Sequence, residues 1–316
     1  MSNAEPAPIL EAMEISKSYR ARLALDKLSI AIKPGEVAGL LGPNGAGKTT
    51  TLSILSTLTR PDRGRVLIAG KPPASDPRAL GRMLGLVPQS LALYPTLSAA
   101  QNVQHFAQMQ GISSVEAPDA CRRVLDEVGL TDRAHDPVRS FSGGMKRRLN
   151  LACGIVHRPR VLLLDEPTVG VDPQSREKIL ALVRSCAEAG AAVIYSTHYM
   201  EEAERICDRV MLIDRGKLIA DGTVEELVAR GGARPRLELT YRGDLDAGWD
   251  TNLVGPREIS HVAGSLALEL SALAQVPEVL ARMRAAGVSV IDFSVHSPNL
   301  ADAFIALTGH SLRDTV

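Results

Sequence analysis

The chain has 316 residues, 45% of them hydrophobic, which allows two domains with sizeable cores at roughly 150 residues per domain. Its 36 basic residues balance 36 acidic ones, so no long-range field favours nucleic acid or an anionic membrane surface, and any bound polyanion must be held locally. Cys121, Cys153, Cys186 and Cys207 stand far apart without CxxC spacing, which argues against a zinc site or disulfide framework, and no run approaches the ~18 apolar residues of a membrane span.

The cysteines read as buried, reduced thiols of a cytosolic protein, and the N-terminal stretch has no basic-then-apolar secretion signal. Residues 9–41 read as strands: Leu28, Ile30 and Ile32 alternate up to the Pro34-Gly35 turn, and the apolar run Val37–Leu41 predicts a strand buried on both faces. A glycine-rich turn follows, then a helix over Lys48–Leu58 broken at Arg60-Pro61. Residues 100–157 are mostly helical in pattern and read as an insertion in the sheet domain. Val161–Leu164 and Ala192–Ser196 repeat the buried-strand pattern around an amphipathic helix through Ile179, Leu180 and Val183, as a parallel α/β sheet requires. Thr223 and Glu226 suggest a capping box for a short helix ending at Gly231-Gly232, followed by a Gly-Gly-Ala-Arg-Pro linker. Beyond it, strands at Leu237–Tyr241, Leu266–Leu270 and Val288–Val295 and a helix at Pro277–Ala286 predict a small α+β unit.

The string Gly42-Pro43-Asn44-Gly45-Ala46-Gly47-Lys48-Thr49-Thr50 fits the phosphate-loop pattern, and it lies between a buried strand and a helix. Glycines let the backbone curl so that several N–H groups and a helix N-terminus aim at one anion. Lys48 is placed to neutralise the terminal phosphates and Thr49 to ligate Mg²⁺. Downstream, Val161–Leu164 ends in Asp165-Glu166, an apolar strand delivering two carboxylates to a sheet edge. Asp165 reads as a Mg²⁺ holder, and Glu166 as the general base that accepts a proton from the attacking water or orients it.

Phe141-Ser142-Gly143-Gly144-Met145 resembles the signature motif of ATP-binding-cassette (ABC) proteins, usually LSGGQ. The family resemblance covers roughly residues 9–225. It implies a P-loop NTPase of the α/β class, with a mixed-sheet core, an antiparallel β subdomain, a helical subdomain at about 100–157 and a cassette spanning 1–231. Residues 232–316 would form a small C-terminal accessory domain. It implies that two cassettes pack head to tail, so that Ser142, Gly143 and Gly144 of one cover the γ-phosphate held by the other. Met145 and Phe141 replace the usual glutamine and leucine, which implies altered coupling without loss of activity.

Other positions match singly. Gln89 resembles the Q-loop glutamine that touches Mg²⁺ and passes the site's state to the membrane subunit. His198, alone among seven histidines in ending a core strand, resembles the switch histidine on the γ-phosphate. Asp172 matches the D-loop facing the opposite cassette, and Tyr19 sits where an aromatic stacks on adenine. The strings around Ser142 and Asp165 and the tail Pro298–Gly309 resemble bacterial exporter cassettes of the daunorubicin-resistance and antibiotic-efflux type. The implied function is an Mg-ATP-hydrolysing subunit on the cytoplasmic face of the membrane. It would pair with a second copy and drive separately encoded polytopic permease subunits, with no nucleic-acid partner. The alternatives are a cassette ATPase acting on ribosomes or nucleic acid, or a binding module using ATP only as a switch. The first would carry a second cassette or a long coiled coil, and the second an impaired base or histidine.

Overall fold

The computed structural model describes residues 6–20, 22–245, 256–262 and 264–309; the outer ends of both expected domains, 1–5 and 310–316, lie outside the described residues. The chain divides into two compact units, one running up to Val224 and the other starting at Glu225.

In the first unit, strands β1 (Leu10–Tyr19), β2 (Arg22–Ile32) and β3 (Val37–Leu41) lead into helix α1 (Lys48–Leu55). Then come β4 (Arg63–Ile68), α2 (Pro77–Met83), β5 (Leu84–Val87) and the helices α3 (Ala99–Met109), α4 (Ala117–Glu127) and α5 (Gly143–Ile155). The unit continues with β6 (Val161–Asp165), α6 (Pro173–Glu188), β7 (Ala192–Thr197), α7 (Met200–Ile206), β8 (Arg209–Asp214) and β9 (Lys217–Gly222).

Strands β2, β1 and β4 form an antiparallel sheet. The larger sheet has the order β5-β6-β7-β3-β8-β9, parallel throughout except for the antiparallel β9, so the core is a mixed sheet. Every residue of β3, β6 and β7 is buried, as expected of parallel strands covered on both faces. Alternate residues serve two different cores. Leu162, Leu164, Val193 and Tyr195 pack with apolar residues of α3, α4 and α5, while Val161, Leu163, Ala192 and Ile194 pack with α1 and the antiparallel sheet.

Helix α1 ends at Leu55, three residues before the expected Leu58. The Thr57 N–H turns back to the Ile54 carbonyl and Thr57 takes a left-handed φ of 66°, so a helical stop precedes the Arg60-Pro61 break.

Helix α8 (Val224–Gly231) begins at the boundary, and from Glu225 onward it belongs to the second unit with β10 (Arg236–Arg242), β11 (Arg257–Val262), β12 (Ser265–Glu269), α9 (Val276–Ala285), β13 (Ser289–His296) and α10 (Leu300–Thr308). The unit's antiparallel sheet, β11-β12-β10-β13, turns Leu237, Leu239, Leu266 and Leu268 into a core closed by Val279 and Met283 of α9.

Because β5, β6, β7 and β3 are parallel, their carboxyl ends share one edge of the sheet. Val87 pairs with Leu164, Asp165 with Ser196, and Leu41 with Thr197. In open α/β sheets ligands bind outside these ends, and here that edge carries the loops with Gly42, Gln89, Glu166 and His198.

Candidate active site

The loop Gly42–Gly47 connects β3 to α1. Gly47 has φ 112°, and a Cβ there would lie 2.7 Å from Leu25 Cδ2 and 2.8 Å from the Ala24 carbonyl oxygen, so only glycine fits. The Thr51 N–H returns to the Gly47 carbonyl at 2.8 Å. Among the described residues no backbone carbonyl accepts from the N–H groups of Gly47, Lys48, Thr49 or Thr50 that precede it. These orphan donors at a helix start form a cradle that suits a phosphate group.

Lys48 is buried, and its Nζ donates to the Gly42 carbonyl at 2.7 Å and to that of Pro43 at 3.2 Å. Burial lowers its pKa, opposed by the charges of Glu166 and then Asp165. The loop opens on a cleft of about 390 Å³ whose walls include Tyr19, Arg22, Asn44, Gly45, Lys48, Thr49, Thr50, Gln89 and Glu166. Tyr19 is 48% exposed at the cleft rather than packed in the core, with Lys17 Nζ 5.7 Å from its ring centre.

Glu166 follows β6 with a left-handed φ of 47°, a conformation a non-glycine residue holds only when its surroundings impose it. Its N–H donates to both the carbonyl and the Oγ of Ser196, each at 3.1 Å, and Ser196 Oγ in turn donates to Asp165 Oδ1 at 2.8 Å. The Glu166 carboxylate gathers three side chains from three other loops. Oε1 lies 3.2 Å from Lys48 Nζ and 3.2 Å from His198 Nδ1, and Oε2 accepts a hydrogen bond from Gln89 Nε2 at 3.0 Å. The His198 contact is one of proximity, since Nδ1 is not aligned for a hydrogen bond.

Helix α5 clasps the Gln89 loop. Arg147 donates through Nη1 to the Gln89 carbonyl at 2.5 Å and through Nη2 to the Val169 carbonyl at 3.4 Å. Asn150, one turn further along, accepts from the Ala92 N–H at 3.0 Å and donates to the Pro88 carbonyl at 3.4 Å. Burial lowers the Arg147 pKa, with the Glu166 charge opposing.

The fold thus brings together Tyr19, Asn44, Gly45, Gly47, Lys48, Thr49, Thr50, Gln89 and Glu166 around one cleft, with Asp165 and His198 beside Glu166. Ser142, Gly143, Gly144 and Asp172 do not line that cleft. Ser142 Oγ caps α5 by accepting from the Met145 N–H at 3.2 Å, and Asp172 caps α6 by accepting from the Ser175 N–H at 2.9 Å. The two caps adjoin: a Cβ on Gly144 would lie 2.5 Å from Asp172 Oδ1 and from Ser175 Oγ, so a side chain there would displace the Asp172 cap. Phe141 is buried and Met145 packs partly into the same core. Arg22, Ser196, Arg147 and Asn150 belong to the site and were not singled out from sequence.

Comparison with known proteins accords with this geometry. The family described as ABC transporter matches residues 25–169. The linearmycin resistance ATP-binding protein LnrL of Bacillus subtilis is 41% identical over 315 residues, covering 97% of this chain and 100% of the relative. The doxorubicin resistance ATP-binding protein DrrA of Mycobacterium tuberculosis is 36% identical over 318 residues, 98% of this chain and 95% of the relative. The Nod factor export ATP-binding protein I of Sinorhizobium fredii is 34% identical, covering 99% and 90%. Among solved structures, an ATP-binding subunit of an ABC transporter superposes with a TM-score of 0.66 at 30% identity, covering 71% of this chain and 93% of that one. A dimeric ATP-binding cassette in a post-hydrolysis state, bound to ADP and Pi, gives 0.62 at 26% identity, covering 68% and 98%. The alternating strand and helix order, the phosphate cradle and near-full-length identity agree: this chain belongs to the ABC transporter family, as an ATP-binding subunit that hydrolyses ATP.

Proposed function

We propose that the chain is the motor of an export system, acting as a peripheral subunit on the cytoplasmic face of the membrane. Two copies pack head to tail and drive separately encoded polytopic subunits. The carrying observation is the Glu166 carboxylate held between Lys48, His198 and Gln89 at the cleft that begins with the phosphate loop. The cassette would run through residue 231, with 232–316 as its accessory domain.

In this reading the orphan N–H groups after Gly47 and the Lys48 ammonium receive the triphosphate, and Tyr19 flanks the adenine. Lys48 must leave Glu166 for phosphate, which frees the carboxylate to take the proton of the attacking water. His198 and Gln89 keep that carboxylate and the water in line, and Ser142, Gly143 and Gly144 of the partner copy supply a second helix N-terminus to the γ-phosphate. Asp172 sits beside that helix start and would meet the partner copy. Thr49, Gln89 and Asp165 offer the oxygen donors that a hard divalent cation prefers, and they would hold Mg²⁺. When bound, Mg²⁺ supplies neutralisation of charge on the phosphate oxygens.

Export rather than uptake is supported by the relatives, named for linearmycin and doxorubicin resistance and for Nod factor export. A groove of about 810 Å³ adjoins the Gln89 loop through Pro88, with Leu58, Leu80, Leu86 and Phe106 in its walls. A cytoplasmic helix of the membrane subunit docked there would bear on the backbone leading to Gln89. The test is detergent co-purification of the tagged chain from membranes. Recovery of a multi-span protein, weakened by Phe106→Asp, is the expected result. Stable association with ribosomes or DNA in its place would overturn the reading.

A further inference from the structure

A third carboxylate, to which the reading above gives no role, is joined to residues that flank Glu166 and His198. Glu202 of α7 is 3% exposed and makes no contact with the cleft. Its Oε2 accepts from three hydroxyls, Thr168 Oγ1 at 2.8 Å, Tyr195 OH at 2.8 Å and Thr197 Oγ1 at 3.2 Å. Its Oε1 faces Arg176 Nε at 3.4 Å. Thr168, Tyr195 and Thr197 are all buried. Burial, and next the Glu202 charge, hold the Tyr195 phenol well above its ordinary pKa, so it remains a donor.

A buried carboxylate is stable only when it is paired and its lone pairs are met: Oε2 has its three hydroxyl donors, while Oε1 meets Arg176 as an ion pair without an aligned hydrogen bond. The partners explain what the carboxylate achieves. Thr168 lies two residues past Glu166. Thr197 immediately precedes His198, and its Oγ1 also accepts the Tyr199 N–H at 2.9 Å, bracketing the histidine. Arg176 lies in the first turns of α6, whose cap is Asp172. One carboxylate therefore ties together the segments that carry Glu166, His198 and Asp172.

We propose that Glu202 is a positioning residue for hydrolysis, fixing the Glu166 and His198 segments to each other through the Thr168 and Thr197 hydroxyls. The inference rests on the roles given to Glu166 and His198. It places the effect of Glu202 on turnover rather than on nucleotide capture, because none of its partners touches the phosphate cradle.

The experiment compares Glu202→Gln, Thr197→Val and Thr197→Ser in the full chain, measuring ATPase kcat and KM, ATP affinity and thermal stability, with Glu166→Gln alongside. Gln keeps the volume but sets an amide against either the hydroxyls or Arg176. The expected result is a roughly ten- to hundred-fold fall in kcat for Glu202→Gln and Thr197→Val, the cost of a small misplacement of reacting groups. ATP affinity should stay within about three-fold of wild type, and Thr197→Ser should restore turnover. Wild-type kcat in both Glu202→Gln and Thr197→Val, or an equal loss of affinity and kcat, overturns the inference. If Glu202→Gln does not fold, the Thr197 pair decides alone. Should Glu166→Gln keep full turnover, the base assignment fails instead, which separates the two outcomes.

Discussion

Lys48 Nζ lies 3.2 Å from Glu166 Oε1, with the two side chains only 5% and 7% exposed. One comes from the phosphate loop after β3 and the other from the end of β6, two strands apart in the sheet. The ion pair holds the carboxylate at the cleft while the lysine waits, and an incoming polyanion competes with Glu166 for the same ammonium.

Removing the lysine should therefore act on two quantities. Lys48→Ala should weaken ATP binding by roughly ten- to hundred-fold, the value of a hydrogen bond to a charged group. It should also destabilise the ATP-free chain by about 3 kcal/mol, because it leaves a buried carboxylate without its cation. In a Glu166→Gln background the stability loss should shrink by about 1 kcal/mol or more. Titration with a fluorescent ATP analogue and denaturant unfolding check the two effects, and an unchanged loss in the double variant would show that the pair is uncoupled.

Arg147 joins the Gln89 and Val169 carbonyls, the first open to water and the second half-buried, so Arg147→Ala should cost about 1 kcal/mol of stability. Arg147→Lys should recover only part, since an ammonium cannot span both carbonyls in the fixed geometry of a guanidinium. Turnover should fall more than ATP affinity in both variants, because the arginine touches the Gln89 loop and not the phosphate cradle. Equal kcat in wild type and Arg147→Ala would contradict this.

His157 supplies a pH dependence of stability. Its Nε2 donates to the Leu84 carbonyl at 2.9 Å, while Nδ1 is buried with no hydrogen-bond partner among the described residues. Burial lowers its pKa below the ordinary 6.5, opposed by the bond to Leu84. The unfolded chain then binds the proton at higher pH than the folded one, so this contribution to stability falls as pH drops through about 6.5 toward the folded value. His157→Gln keeps a donor for Leu84 and should flatten the melting temperature between about pH 7 and pH 5. A profile as steep as wild type would assign the acid lability elsewhere.

The local motifs were legible in the sequence because each is a short string in a defined setting. The run from Gly42 to Thr50 needs only a strand before it and a helix after it, and both are there. The buried strands around Asp165-Glu166 and His198 announced themselves as unbroken apolar runs. Convergence on Glu166 was not legible, since it depends on the strand order β6-β7-β3 and on the shared edge of parallel strands, which no local pattern encodes. Arg147 and Asn150 stand three residues apart on one face of α5, a spacing that gives a usable signal only once the Gln89 loop is known to lie against that face. Glu202 gave no local signal, since it stands beside Glu201 and Glu204 in α7 and only the packing of that helix buries it. In the second unit β11 escaped notice because all its residues are exposed, so Arg257–Val262 shows no inward alternation. Tyr19 is exposed at the cleft, although a strand-end aromatic ordinarily packs into a core.

The most direct test of the account is the steady-state ATPase rate of Glu166→Gln measured together with its ATP affinity. The amide keeps shape and can still face Lys48, His198 and Gln89, but it cannot take a proton from water. ATP binding should stay within about three-fold of wild type while turnover falls by roughly a hundred-fold or more. Wild-type turnover in a folded, ATP-binding Glu166→Gln chain would contradict the assignment of Glu166 as the base.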